Sequence, residues 1–434
     1  MGLLNQIEVF CDEDADVKLF KRLKGLSSIL NNIPDENIAK YPQISAAVNN
    51  RTYDKIFPLF AFDRPDYIFT LAGKPILVVE VTEHAYTGDN GLQRFVRVAS
   101  AAENKVPFIY FGPIARVRDD ELDLSNDVST LSKRSLTSDF FEGMATLHTL
   151  YKVPMLFTEW ITARNGKVKK VPLTSTDSKF MGVYGDLCSL MAAIINLARN
   201  GKNGTADSAA LLVKSQAQLL DLANIKNTRH SDVKFALNRT KTIELIRNPQ
   251  QILQYMSDYF FKGKPDKLLA LYALRNSQLK NILLKDRIVS DETEISSFIK
   301  KICSADIFQE GAYVYFSGYK WRSDPHCGVA INIYYRECKV NKLPLVLFYP
   351  RISITSSATQ ILLESLNNTQ NLIELFKERY SIDFAAKHRT TTSSAALYST
   401  WIGSTKQGRI FLRYCHIIVC NDGIIIGEPL QKIL

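Results

Sequence analysis

The spacing of apolar positions divides the chain into stretches of two different periods. Asp16 to Leu30 carries apolar residues at helical spacing, and Pro34-Asp35-Glu36 marks the start of a further helix, so residues 1–50 read as mostly helical. From Lys55 the pattern shifts to short β-branched and aromatic runs. Phe57 to Phe62, Asp66 to Leu71 and Pro75 to Thr82 predict strands, the last two joined by a tight turn at Gly73-Lys74. Asp89 to Asn104 returns to helix, with Leu92, Phe95, Ala99 and Ala102 on one face. Val106 to Phe111 (VPFIYF) follows as a buried strand closed by Gly112-Pro113. Residues 116–139 are polar and acidic, a surface excursion, before a helix at Ser138 to Tyr151 and a strand at Val153 to Trp160. Helix, hairpin, helix and strand in that order predict an α/β core with a mixed central sheet flanked by helices.

Asn165 to Ser178 (NGKVKKVPLTSTDS) is rich in turn residues and poor in apolar ones, which places a boundary there and divides the chain into 1–165 and 166–434. Helical spacing follows at 180–200, 206–224 and 241–302, the last interrupted around Gly263 to Pro265. Strands are expected at Ala312 to Tyr319, Val329 to Tyr335 and Leu343 to Tyr349, a helix at 358–380, and a strand pair at Arg409 to Val419 and Gly423 to Ile426. The remainder therefore reads as a larger α+β region. No internal repeat and no low-complexity tract is visible.

Composition narrows the class. The 434 residues are 46% hydrophobic and 23% charged, enough apolar material for a packed core, which excludes a disordered, fibrous or disulfide-scaffold chain. No apolar run approaches the roughly 18 residues that span a bilayer. The N-terminus turns acidic where a secretory signal needs a basic start, and Gln6 stands where a myristoylation string needs Ser or Thr. Seven scattered cysteines fit a reducing compartment, so a cytoplasmic protein is expected. The net charge of +10 is unevenly spread. Residues 1–150 hold 16 Lys+Arg against 21 Asp+Glu, and the rest hold 38 against 23. An acidic first third joined to a basic remainder suggests metal chemistry in one part and polyanion binding in the other; ordinary solvated surface is the alternative.

Residues 62–84 (FDRPDYIFTLAGKPILVVEVTEH) carry the chemistry. Asp66 opens one strand and Glu80 ends the next, 14 residues later, so a tight hairpin brings the two carboxylates to one edge of the sheet. Two hard oxygens held together, with water and phosphate filling the other positions, suit Mg²⁺. Pro-Asp also occurs at 34–35 and 265–266, where helical patterns follow and Asp reads as a cap.

Pro65-Asp66, the apolar strand and Glu80-Val81-Thr82 resemble the PD-(D/E)XK nuclease signature of many type II restriction endonucleases. The following helix and the VPFIYF strand match that family's core order, and the resemblance covers about residues 30–160. It implies a restriction-endonuclease-like sheet, with Asp66 and Glu80 as Mg²⁺ ligands and the Val81 carbonyl as a third donor. It also implies hydrolysis of double-stranded DNA to a 5′-phosphate and a 3′-hydroxyl. The family's lysine is Thr82 here, which can hydrogen-bond the attacking water but brings no charge. The next helix offers a substitute: Gln93, Arg97 and Ser100 form a polar stripe with Arg94 beside it, and Gln93 or Arg94 can address the phosphate. An exposed helix face accounts for those positions equally well. His84 is available for proton transfer but reads more simply as incidental, and Glu36 is a candidate helix-borne acid.

Elsewhere, Cys415 and Cys420, and His326, Cys327 and Cys338, lack the spacing of a zinc site and read as packed thiols. The loop Tyr319-Lys320-Trp321-Arg322 combines cations with aromatics that can reach or stack on bases, although a β-turn over a buried Trp is the plainer reading. Asp324 and Glu337 suggest a degenerate echo of the acidic pair. Lys169 and Lys170 suit phosphate contacts, as does Arg97. The expectation is a site-specific, Mg²⁺-dependent double-strand endonuclease acting as a homodimer. The rivals are a non-catalytic DNA-binding protein on a nuclease-like scaffold, and a nuclease acting on RNA or in DNA repair.

Overall fold

The computed structural model describes residues 6–42, 53–60, 62–82, 88–112, 138–159, 176–201, 205–224, 269–274, 312–317, 324–340, 342, 345–348, 407–419, 424–426 and 429. They belong to two compact units, Met1–Val233 and Lys234–Leu434.

The first unit is built on a six-stranded mixed sheet. Its strands are β1 (Ile7–Cys11), β2 (Ile38–Lys40), β3 (Tyr67–Leu71), β4 (Lys74–Val81), β5 (Phe108–Gly112) and β6 (Met155–Glu159), in the order β2-β1-β3-β4-β5-β6. Helices α1 (Asp14–Lys24), α2 (Ser28–Asn31), α3 (Phe57–Phe60), α4 (Gly88–Glu103), α5 (Ser138–Tyr151), α6 (Asp177–Arg199) and α7 (Ala206–Asn224) accompany it. The coarse expectation of a mixed sheet flanked by helices therefore holds. β3 and β4 form an antiparallel hairpin turned by Ala72 and Gly73, at φ 50° and 70°; two successive positive φ values match the strand twist, and glycine meets the second at no steric cost. β4, β5 and β6 run parallel, linked through helices, and carry the near-continuous apolar runs of strands covered on both faces.

Side chains alternate between those two faces. Val9, Phe69, Val79, Ile109 and Phe111 pack under α1 and α6, where Phe180, Tyr184, Leu187, Met191 and Ile195 complete the core. On the opposite face Tyr110 packs edge-on to Phe140 and stacks on Phe157, and Phe140 meets Phe95 of α4. The segment Phe180–Arg199 is the one described helix long and apolar enough to cross a membrane; 56% of its most apolar stretch is buried, with Phe180, Leu187, Met191 and Ile195 in this core and Met181 exposed. α6 and α7 belong to this unit as well.

The second unit's described strands form a five-stranded sheet, β11-β10-β9-β8-β7, from β7 (Leu269–Leu274), β8 (Ala312–Ser317), β9 (Leu345–Phe348), β10 (Ile417–Val419) and β11 (Ile424–Ile426). Helices α8 (Asp324–Ile333), which continues as a π-helical turn over Tyr334–Lys339, and α9 (Gln407–Tyr414) lie between the strands in sequence.

Several local expectations are corrected. Ile7–Cys11 is a strand within a segment read as helical, because β1 gains its ladder from the distant β3. Phe57–Phe60 is helical rather than extended, with its aromatics buried. Val329 to Tyr335, read as a strand, lies in α8 and the π turn. Leu269–Leu274, read as helix, pairs with β8, and Gln407–Tyr414 is helix where a strand was expected. For β1 and β7 tertiary pairing overrides local propensity. The helix expected at 358–380 lies outside the described residues.

Candidate active site

The pleat decides which side chains meet. Residues opposite one another across a hairpin point to the same side of the sheet, and Tyr67 stands opposite Val79. One residue further along each strand, Asp66 faces Glu80. Glu80 in turn stands opposite Tyr110 on β5. All three lie at the carboxyl end of β4 and β5, the end at which open α/β sheets gather ligands.

Helix α4 covers them with cations. Arg97 Nε donates to Asp63 Oδ2 at 3.0 Å, and its Nη1 lies 3.8 Å from Asp66 Oδ1 and makes a short hydrogen bond to Glu80 Oε2. Arg94 Nε donates to Glu80 Oε1 at 3.1 Å. Both oxygens of Glu80 thus accept from guanidinium, and the side chain is 1% exposed. Asp66 Oδ2 accepts the Val81 N–H at 2.5 Å. That N–H ties the Asp66 carboxyl to the end of β4.

Burial, and then the charge of Glu80, hold the Asp66 carboxyl well above the usual carboxylate range, with Arg97 and the Val81 N–H acting against them. Asp16 on α1 is pushed up to about 6, mainly by burial, with the charges of Asp12, Glu13 and Glu80 adding to it. Burial also raises Asp12, against Arg97 and Arg64. For Arg97 burial works against the charge, but Asp63, Glu80 and Asp66 hold it firmly protonated. One guanidinium is therefore the common partner of three carboxyl groups that would otherwise repel one another.

Behind Glu80 lie two buried hydroxyls. Thr82 Oγ1 and Tyr110 OH each lack a hydrogen bond of ordinary geometry. They are nevertheless close enough for Thr82 to act against the rise of the Tyr110 phenol, which burial drives up to about 12. Gly112 makes the close approach possible: a Cβ there would fall 2.9 Å from Tyr110 Cε1 and 3.3 Å from Thr82 Cβ.

Two carboxylates that share one cationic nitrogen are placed to share one divalent ion, and Mg²⁺ is held by one or two carboxylates with water and phosphate completing the shell. Among the described residues no group of three or more His, Cys, Asp or Glu is arranged to hold a metal, so protein ligation would rest on this pair.

The structure therefore brings together Asp66, Glu80, Val81, Thr82, Arg94 and Arg97. Arg97 and Ser100 do not form a solvent stripe: Arg97 is 13% exposed at its side chain and Ser100 is buried. Gln93 lies on α4, its side chain outside the described set. Glu36 sits exposed in the turn Asp35–Asn37, and the acid that reaches the pair electrostatically is Asp16. Lys169, Lys170, Lys320, Trp321, Arg322 and His84 lie outside the described residues. Sequence reasoning did not single out Asp63, Asp16 and Tyr110. Asp63, three residues before Asp66, carried a faint signal, whereas Tyr110 becomes visible only through the β4–β5 register. The chain matches no protein-family model, no curated protein and no solved structure.

Proposed function

We propose that the chain is a Mg²⁺-dependent endonuclease of the PD-(D/E)XK kind, acting at specific sites on double-stranded DNA in the cytoplasm. The observation that carries this reading is the acid pair on one face of the hairpin, both members reaching the same guanidinium nitrogen. The order β3, β4, α4, β5 also supports a restriction-endonuclease-like core.

Asp66 and Glu80 would hold Mg²⁺, which when bound polarises the scissile phosphate and acidifies a water. Arg97 stays tethered to Asp63 through Nε while its Nη1 leaves Glu80. Arg94, released from Glu80 Oε1, turns its guanidinium to the phosphate and supplies the charge that Thr82 lacks. The Thr82 hydroxyl orients the attacking water, and the basic remainder of the chain grips the backbone without reading sequence. Cutting both strands at one place takes two such sites, supplied by a homodimer or by transient pairing.

One observation favours a second reading. Both Glu80 oxygens are already satisfied by Arg94 and Arg97, as a structural carboxylate would be, which fits a non-catalytic DNA-binding protein. Incubation of supercoiled plasmid with the protein and Mg²⁺ separates the two. Discrete cleavage products that vanish in Asp66→Asn support the nuclease; retardation of uncut plasmid supports the binding protein.

A further inference from the structure

We infer that the second unit is a diverged second copy of the first unit's sheet-and-helix frame, in which Tyr272 and Val314 occupy the positions of the acid pair. The sequence alone suggested no repeat. In the first unit an antiparallel pair, β3 and β4, is followed by α4, by β5 parallel to β4, by α5, and by β6 parallel to β5. In the second an antiparallel pair, β7 and β8, is followed by α8, by β9 parallel to β8, and by β10 parallel to β9 with α9 directly before it.

Strand–helix–strand units recur in unrelated folds, so shared order proves little by itself. Two further coincidences are specific to this pairing, and a third belongs to a feature that the first unit also repeats internally. Residues 82–87 join β4 to α4 and residues 318–323 join β8 to α8, two connections of equal length. The chain enters the next strand as NKVPFIYFGP at 104–113 and as NKLPLVLFYP at 341–350, alike in their Asn, Lys, Pro and Phe positions. In both copies the lysine of that string has positive φ, 57° at Lys105 and 56° at Lys342, as has Lys152, at 56°, where YKVPMLF leads into β6. A non-glycine residue rarely adopts that conformation, and here a Lys-x-Pro string carries it at the entry to β5, β6 and β9 alike.

The aligned strings carry the register with them. Tyr110 corresponds to Leu347. Glu80 stands opposite Tyr110, and Val314 stands opposite Leu347. Asp66, just before β3, continues the hairpin register to Glu80, and Tyr272 stands opposite Val314 on an antiparallel pair whose strands are joined by residues 275–311. A valine and a phenol give Mg²⁺ no carboxylate, so the second copy keeps the frame without the ligands. Asp324 and Glu337, read as an echo of the acids, fall instead in α8 and its π turn. That each chain holds a single ion rests on the nuclease reading; the shared frame does not.

The test uses the full chain. Tyr272→Cys with Val314→Cys should form a disulfide on mild oxidation, detected by peptide mass, since opposed strand residues lie within disulfide reach. Leu271→Cys with Tyr315→Cys reads the same register if the first pair does not fold. Mn²⁺ titration should find one ion per chain, lost in Glu80→Gln. Failure of both cysteine pairs to cross-link overturns the inference, as does a bound ion that survives Glu80→Gln. Cross-linking in a protein that binds no Mn²⁺ removes the nuclease reading and leaves the unligated second copy standing.

Discussion

The two units use the same four-strand run, β3-β4-β5-β6 and β7-β8-β9-β10, for opposite purposes. In the first, the carboxyl end of the sheet buries Asp66 and Glu80 under Arg94 and Arg97, a charge cluster of the kind that soluble cores normally exclude. In the second, the described core is uncharged. Cys327, Cys338 and Cys415 are buried thiols, and His416 is a neutral imidazole whose Nδ1 accepts the Leu345 N–H at 3.0 Å. A buried ion cluster is weak evidence for stability, because desolvation offsets much of its attraction. One frame built twice, once with the cluster and once without, shows that the fold does not require it, and a cost carried in one copy only points to function.

The largest effect expected is on cleavage. Asp66→Asn and Glu80→Gln should each lower Mg²⁺-dependent plasmid cutting by on the order of a thousandfold, since each removes half of the proposed ion's protein ligation. Tyr272→Phe at the matching position of the second unit should leave the rate within about twofold. Comparable losses at Tyr272 and Asp66 would abolish the contrast between the units.

Arg97→Met should act next most strongly, and on stability. It leaves Asp63, Asp66 and Glu80 facing one another without their common partner, and breaking such a buried arrangement costs about 3–5 kcal/mol. The first unit's melting temperature should fall on the order of 10 °C. Millimolar Mg²⁺ should restore more of it in the variant than in the wild type, because the ion then takes the guanidinium's place. Calorimetry showing no such recovery would mean that the carboxylates cannot share an ion.

The units should also respond oppositely to pH. The folded-state pKa of Asp16 is raised to about 6 and that of Asp66 is raised well above the usual carboxylate range, so the folded first unit holds protons that the unfolded chain releases near pH 4. Its stability therefore falls as pH rises from about 4 through 6 and beyond. His416 is lowered to about 4, mainly by burial with Lys339 adding, so the unfolded second unit takes up a proton near pH 6.5 that the folded one refuses. Its stability falls as pH drops from about 6.5 to 4. Two calorimetric transitions should move apart in opposite directions across that interval, and Asp16→Asn should flatten only the first. Parallel movement of both would count against this account of the buried groups.

What the sequence disclosed follows from the range of the interactions concerned. The hairpin and its acids were legible because Asp66 and Glu80 sit on strands joined by a two-residue turn, so spacing alone predicts their meeting. β1 was illegible because its partner β3 lies some sixty residues away, and α3 because a run of aromatics suits either period. Helical spacing beside the hairpin is enough to offer Gln93 or Arg94 for the phosphate and Arg97 for the polar stripe. The burial of the arginines could not be read, since it depends on α4 resting on β4 and β5 rather than on helical spacing. The repeat escaped notice for a related reason: it is written in strand order, register and one φ angle, while the residues it shares are few.

The smallest effect sharpens the comparison most finely. Tyr110→Phe removes one oxygen at a position where the second unit already carries Leu347. The Tyr110 hydroxyl has no ordinary hydrogen bond, so its loss should leave the melting temperature unchanged or raise it slightly, against the loss of about 1 kcal/mol usual for a bonded buried hydroxyl. Thr82→Val should behave the same way, because its hydroxyl is equally unpartnered. Any drop in cleavage by either variant, at unchanged stability and unchanged Mn²⁺ affinity, would then be a property of the reacting site and not of the core. Clear destabilisation by Tyr110→Phe would show instead that the hydroxyl is satisfied in solution, and that this part of the first unit is held together as conventionally as the second.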